Sequence, residues 1–264
     1  MREDRASLSL SVIMPALNEE DNVLSAIERT LSAFDHLGID GEIVVVNDGS
    51  TDNTGALVEK RAAREEAVRI IVHKTPQGIG ASFWDGVKVA HGEVVTMFPG
   101  DDENEPVEAL RYFHLFENVD IVVPFICNKG MRSKRREQLS SMFTTIVNLT
   151  FGTRLNYTNG TVLYRRSILS DLELRSRGFF YQTELLIKAI KRGYLFAEVP
   201  NLLRKRSSGA SKAISFKSFF AVVKGYLYLV KDVYFAGKDF SGREHIAEDS
   251  VTFQRLNNPS QKSL

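Results

Sequence analysis

The chain has 264 residues, with 34 Lys and Arg against 33 Asp and Glu and a formal net charge of +1. At roughly 100–200 residues per domain this is one large domain or two small ones. Its 43% hydrophobic and 25% charged residues exclude a wholly disordered, collagen-like or coiled-coil chain, and the near-zero charge argues against a nucleic-acid partner.

In chain order, Leu8 to Met14 reads as a strand and Asp21 to Gly38 as a helix, with Leu24, Ile27, Leu31 and Phe34 on one face and Gly38 as a stop signal. Glu42 to Asn47 carries Ile43-Val44-Val45-Val46, a run suited to a strand buried on both faces. A helix from Thr54 to Glu66, a strand from Val68 to His73 and a helix from Ala81 to Ala90 follow. Glu93 to Phe98 and Asp120 to Pro124 read as strands, with a helix from Val107 to Phe116 between them. This alternation predicts an α/β fold, a mostly parallel sheet with helices on both faces. Beyond residue 125 the alternation weakens. Helices are expected at Arg136 to Phe151 and Gln182 to Arg192, and a strand from Tyr194 to Val199 that ends at Pro200. A long amphipathic stretch runs from Ile214 to Phe235, and the polar tail after Gly237 reads as disordered. The single cysteine, Cys127, excludes an internal disulfide and a cysteine-rich zinc site and is expected in the core.

Sites in parallel sheets lie at the carboxyl ends of the strands, which makes the loops after the strands the places to search. The first is Pro15-Ala16-Leu17-Asn18-Glu19-Glu20 and the second Asp48-Gly49-Ser50-Thr51-Asp52-Asn53. Acidic and amide groups there suit ribose hydroxyls and base edges, although Asp48-Gly49 also fits a turn and Asp52 a helix cap. The third loop, Lys74 to Ser82, carries Gly78 and Gly80, which allow close approach of backbone to a ligand. The dinucleotide and Walker glycine patterns are absent. The fourth is Gly100-Asp101-Asp102-Glu103-Asn104-Glu105, whose oxygen donors suit Mg²⁺ or Mn²⁺, or an acidic first turn of the helix that follows.

Taken together, these loops resemble the family 2 glycosyltransferases of the GT-A fold over most of residues 8 to 212. Within that family they are most similar to the polyprenyl-phosphate sugar transferases, the dolichol-phosphate mannose synthase group. Gly178-Phe179 leading to Glu184-Leu185, then Glu198-Val199-Pro200 and Arg206-Ser207-Ser208-Gly209-Ala210-Ser211-Lys212 extend the match. The resemblance implies a GT-A domain over 1–212, with a nucleotide-sugar half at 8–125 and an acceptor half at 126–212. An amphipathic helix at 213–236 and a disordered tail at 237–264 complete the expected organisation.

The implied donor site is Pro15, Leu17, Asn18, Glu19, Asp48, Ser50, Asp52, Gly78, Gly80 and Asp101. Asp102, with Asp101 and Asn104, would hold Mg²⁺ or Mn²⁺. Aligned on Pro106 and Glu108, Gly100 stands where the family has the first metal-motif aspartate. Arg206 would close over the diphosphate, and Arg132, Arg136 and Ser140 would take an acceptor phosphate. The implied reaction is inverting transfer of a hexose-type sugar from a nucleotide-sugar to a polyisoprenyl phosphate in cell-envelope glycan synthesis. Alternatives are a sugar-hydroxyl acceptor in cell-surface glycan synthesis, with Glu184 as the base that reaction needs, and a non-catalytic protein that binds nucleotide-sugar or lipid.

Lys217, Lys224 and Lys231 recur every seven residues among Phe219, Phe220, Val223 and Leu227. That pattern suits a helix lying in a bilayer headgroup region, or alternatively a core-packed or dimer-forming helix that would make a homo-oligomer. No uncharged apolar run reaches about 18 residues and no signal peptide is evident. The expected location is cytoplasmic, on the inner face of the membrane, with peripheral contact.

Overall fold

The computed structural model describes residues 8–128, 134–170, 172–202, 216–235 and 246–257, and of 134–136 and 216–219 the backbone alone. The chain divides into two compact units, 1–111 and 112–264. The first runs β1 (Leu10–Ala16), α1 (Val23–Leu37), β2 (Gly41–Asn47), α2 (Thr54–Ala62), β3 (Val68–Val72), α3 (Ile79–Val89), β4 (Val94–Met97) and α4 (Pro106–Leu110). Its strands lie in the order β3-β2-β1-β4, all parallel.

β1 is buried along all seven residues and β2 from Ile43 to Asn47, as expected of strands covered on both faces. In register Ala16 pairs with Asn47 and Asn47 with Val72. The last residues of β1, β2 and β3 therefore form one level row, and the loops that follow leave the same edge. α1 buries Val23, Ala26, Ile27, Thr30, Ala33 and Phe34, so its inward stripe is rotated from the expected one and Leu24 is exposed. The expected helix over 107–116 is broken: α4 stops at Leu110 and a 3₁₀ turn covers Phe113–Glu117. That tighter spacing sets the Phe113 and Phe116 rings 5.7 Å apart.

The second unit contains β5 (Ile121–Ile126), α5 (Lys134–Phe151), β6 (Leu163–Arg165), α6 (Tyr181–Lys191), β7 (Phe196–Asn201), α7 (Phe216–Tyr234) and α8 (Val251–Asn257). Within it the order is β6-β5-β7, β5 being antiparallel to β6 and parallel to β7. β7 does not end at Pro200; the pairing continues through Phe125 with Pro200 to Ile126 with Asn201. As the last strand in the order, β7 tolerates a residue without an N–H. Cys127 is exposed rather than in the core, because it lies just past the end of β5, and its thiol reaches the Asn201 carbonyl at 3.4 Å.

The tail expected to be disordered carries α8 within 246–257. Its start is fixed by Asp120, a fully buried carboxylate that accepts from Val251 N at 2.7 Å, Thr252 N at 3.0 Å and the Thr252 hydroxyl. Arg165 Nε stands 3.3 Å away as its counter-ion. The acceptor for the Val251 and Thr252 N–H groups comes from about 130 residues earlier in the chain, while Ser250 Oγ, just before the helix, accepts locally from Phe253 N at 3.0 Å. The remainder of 236–264 lies outside the described residues.

Candidate active site

The first two loops are braced against each other. Asn18, in left-handed backbone at φ 55°, donates its N–H to Ser50 Oγ at 3.0 Å and accepts from Thr51 N at 2.8 Å through Oδ1. Glu19 N donates to Thr54 Oγ1 at 2.9 Å, and Glu20 takes both Asn53 N and Asn53 Nδ2 at 2.9 Å. Asp52 ties the two loops to the start of α2: its Oδ1 accepts from Thr54 N and Thr54 Oγ1, while Oδ2 accepts from Glu20 N. Burial works to raise its pKa, but the Thr54 and Glu20 donors outweigh it and hold the carboxyl below its ordinary value.

Asp48 and the glycine loop form a second brace. The buried Asp48 carboxylate accepts from Gln77 N at 2.7 Å, Gly78 N at 2.9 Å and His73 Nδ1 at 2.7 Å. His73 Nε2 stands 3.4 Å from Asp85, so the imidazole bridges two carboxylates. Gly49, at φ 76°, lies so close to Thr75 and Pro76 that an added Cβ would come within 2.8 Å of their backbone. Gly78 also has positive φ, at 98°, just before α3, and Gly80 is buried in that helix's first turn. Pro15 is buried, with its carbonyl accepting from Gly100 N at 2.9 Å. Leu17 and Ser50 are half-buried and Asn18 is exposed. The expected donor-site residues thus do share one edge of the first unit. His73 was not anticipated from sequence, where it reads as the last residue of a strand.

The acidic loop departs from expectation. Asp102, at φ 55°, turns its side chain to α1: Oδ1 lies 2.6 Å from Arg29 Nη1, and Oδ2 accepts from Ser25 Oγ at 2.8 Å. Arg29 Nη2 holds Glu105 at 2.8 Å. Burial opposes the guanidinium charge, but the two carboxylates outweigh it and raise the Arg29 pKa. Asp101 accepts from Glu103 N at 3.2 Å, closing the turn. Gly100 is buried, and a Cβ there would meet the Ala16 Cβ at 3.2 Å, so a carboxylate restored at this position would start out against β1. Among the described residues no three His, Cys, Asp or Glu side chains are grouped to hold a metal ion. With both Asp102 oxygens engaged by α1, the Asp102 carboxylate as placed here does not fit the role of a metal ligand.

In the second unit Glu184 is buried at the start of α6. It accepts from Arg175 N at 3.0 Å and Ser176 N at 2.9 Å and pairs with Lys188 Nζ at 2.5 Å. Both oxygens of the Glu184 carboxylate are thus engaged by donors of the protein itself. Ser140 is half-buried on α5. Arg132 and Arg206 lie outside the described residues, as does the Arg136 side chain.

A family model described as glycosyl transferase family 2 matches residues 11–173. The polyprenol monophosphomannose synthase of Mycolicibacterium smegmatis is 29% identical over 216 residues, covering 76% of this chain and 79% of that protein. The undecaprenyl-phosphate 4-deoxy-4-formamido-L-arabinose transferase of Pseudomonas fluorescens is 27% identical, covering 69% of this chain but only 58% of that protein. Among solved structures, glucosyl-3-phosphoglycerate synthase from Mycobacterium tuberculosis with bound UDP aligns at a TM-score of 0.64 and 20% identity, over 86% of this chain and 80% of that one. The same enzyme has been solved with Mn²⁺, UDP-glucose and phosphoglyceric acid, at a TM-score of 0.63 and 19% identity, with the same coverage. These likenesses show a shared GT-A fold.

Proposed function

The chain belongs to glycosyl transferase family 2, and on that premise we propose that this glycosyltransferase moves a sugar from a nucleotide-sugar to a polyisoprenyl phosphate, with inversion. An acceptor phosphate oxygen attacks the anomeric carbon from the face opposite the nucleotide. The bond from that carbon to the diphosphate breaks, and the nucleoside diphosphate leaves with the electron pair. The observation that carries the acceptor choice is the sequestration of Glu184 by Lys188 and two backbone N–H groups. A hydroxyl acceptor needs a base, whereas a phosphate is already anionic near neutral pH. The similarity to one protein named as a polyprenol monophosphomannose synthase and another named as an undecaprenyl-phosphate sugar transferase supports the same choice.

We assign the braced loops after β1, β2 and β3 to the nucleoside, with Asn18, Asp48 and Ser50 shaping its seat. Arg206, by resemblance, would offset charge on the leaving diphosphate. The test is a panel of nucleotide-sugars incubated with a polyprenyl phosphate. A lipid-linked sugar detected by mass is expected for one donor class, and transfer only to sugar hydroxyls would overturn the reading.

Peripheral contact with a membrane is part of this proposal. No described helix is long and apolar enough to cross a bilayer. α5 exposes Leu139, Met142, Ile146 and Leu149 along one stripe, and α7 exposes Phe220, Val223 and Leu227. The two helices are joined where Thr150 and Tyr226 share a hydrogen bond of 2.6 Å and the Phe151 and Tyr234 rings stack at 6.1 Å. Lys224 and Lys231 are exposed on α7 as well, and each lysine near an anionic surface contributes about 1 kcal/mol. Co-sedimentation with anionic vesicles is expected at low salt and is expected to weaken as salt rises. Replacing Leu149 and Phe220 with Ser should reduce binding to neutral vesicles too, by removing apolar burial. Wild-type protein that stays in the supernatant with anionic vesicles at low salt would overturn this part.

A further inference from the structure

The guanidinium of Arg29 spans two carboxylates of the acidic loop. Nη1 lies 2.6 Å from Asp102 Oδ1 and 3.4 Å from the Asp102 carbonyl, while Nη2 lies 2.8 Å from Glu105 Oε2. Ser25, one turn earlier on α1, donates to the remaining Asp102 oxygen. All three side chains of the ion-pair network are at least two-thirds buried. Asp102 is one of only two non-glycine residues with positive φ among those described. Such backbone persists where surrounding contacts hold it, and here the contacts come from α1.

We propose that Arg29 is a positioning residue of this site, a built-in cation that draws Asp102 and Glu105 together so that neither carboxylate serves as a ligand for a divalent metal. This goes beyond the proposed function and rests on that reading only in taking the loop to belong to the donor site. A hard cation binds through several oxygens converging on one centre. The Asp102 oxygens instead diverge, one to Arg29 and one to Ser25. A cation brought to Asp102 would also sit beside a permanent positive charge and be repelled by it. The fork of the guanidinium matters as much as its charge, because separate nitrogens engage separate carboxylates.

The test titrates the full chain with Mn²⁺ alone, followed by calorimetry or water-proton relaxation. Asp102→Asn is expected to leave the Mn²⁺ affinity of the otherwise wild-type chain within about twofold, since Asp102 is no ligand. Arg29→Gln frees two neighbouring carboxylates and is expected to raise that affinity at least about tenfold. Adding Asp102→Asn to Arg29→Gln should cancel the gain, and Arg29→Lys, which keeps the charge, should show less gain than Arg29→Gln. Loss of Mn²⁺ binding in the single variant Asp102→Asn would overturn the proposal, as would a folded Arg29→Gln with no gain. If Arg29→Gln does not fold, the Asp102→Asn titration and the Arg29→Lys variant decide. Failure of every donor in the transfer assay would instead overturn the proposed function, and the Mn²⁺ titrations would stand.

Discussion

Replacing Lys188 with methionine is expected to cost about 3–5 kcal/mol of stability, the usual penalty for leaving buried charge without its partner. Lys188 Nζ donates to the Glu173 carbonyl at 2.6 Å and to Glu184 at 2.5 Å, and lies 3.4 Å from Asp232 on α7. Glu184, Lys188 and Asp232 are each 2–3% exposed, so water cannot take over from the ammonium. One Asp232 oxygen already has no hydrogen-bond partner in the structure. Methionine preserves the volume of the lysine stem, so the loss is electrostatic rather than a cavity. For a unit of this size the thermal midpoint should fall by on the order of 10 °C, measured by circular dichroism. A loss below about 1 kcal/mol would place the cluster in contact with solvent.

The companion variant Glu184→Gln separates a structural carboxylate from a catalytic one. The amide retains an oxygen acceptor but gives up the charge that faces Lys188, so stability should drop. Turnover per folded molecule should change by less than about threefold, whereas loss of a general base costs roughly a hundredfold or more. A hundredfold loss at unchanged stability would return Glu184 to the chemistry and favour a hydroxyl acceptor.

The first unit was largely legible because its signals are local. The Ile43 to Val46 run marks a doubly covered strand, and β2 is buried from Ile43 onward. β6 was missed because three residues, Leu163 to Arg165, carry no usable period. The Glu184–Lys188 spacing is a readable helical ion pair, but helical spacing alone cannot say that the whole of Tyr181 to Ala189 is buried. Arg29 stands 73 residues from Asp102, and Asp120 stands 131 from Val251. Such partners are chosen by the packing of distant segments, and no pattern in either segment names the other. The loop positions of the candidate site could therefore be read from sequence, while the direction in which each carboxylate turns could not.

Asp48→Ala is expected to weaken nucleotide-sugar binding by roughly ten- to a hundredfold, by releasing the glycine loop rather than by removing a direct contact. The Asp48 carboxylate is an acceptor for Gln77 N, Gly78 N and His73 Nδ1. Hydrogen bonds to a charged group contribute about 1.5–3 kcal/mol each, and alanine removes the carboxylate that accepts from two backbone N–H groups of the loop. Ordering that loop would then draw on binding energy, and the loss appears as weaker donor affinity. Hydrogen exchange at residues 75–78 should accelerate in parallel with the fall in affinity. His73→Phe provides the contrast, since Asp48 would still hold Gln77 and Gly78, and donor affinity should fall by less than about threefold. If Asp48→Ala loses affinity while exchange at the loop is unchanged, Asp48 acts through the ligand itself. If His73→Phe matches Asp48→Ala in both measurements, the imidazole that bridges Asp48 and Asp85 is the element that holds the loop.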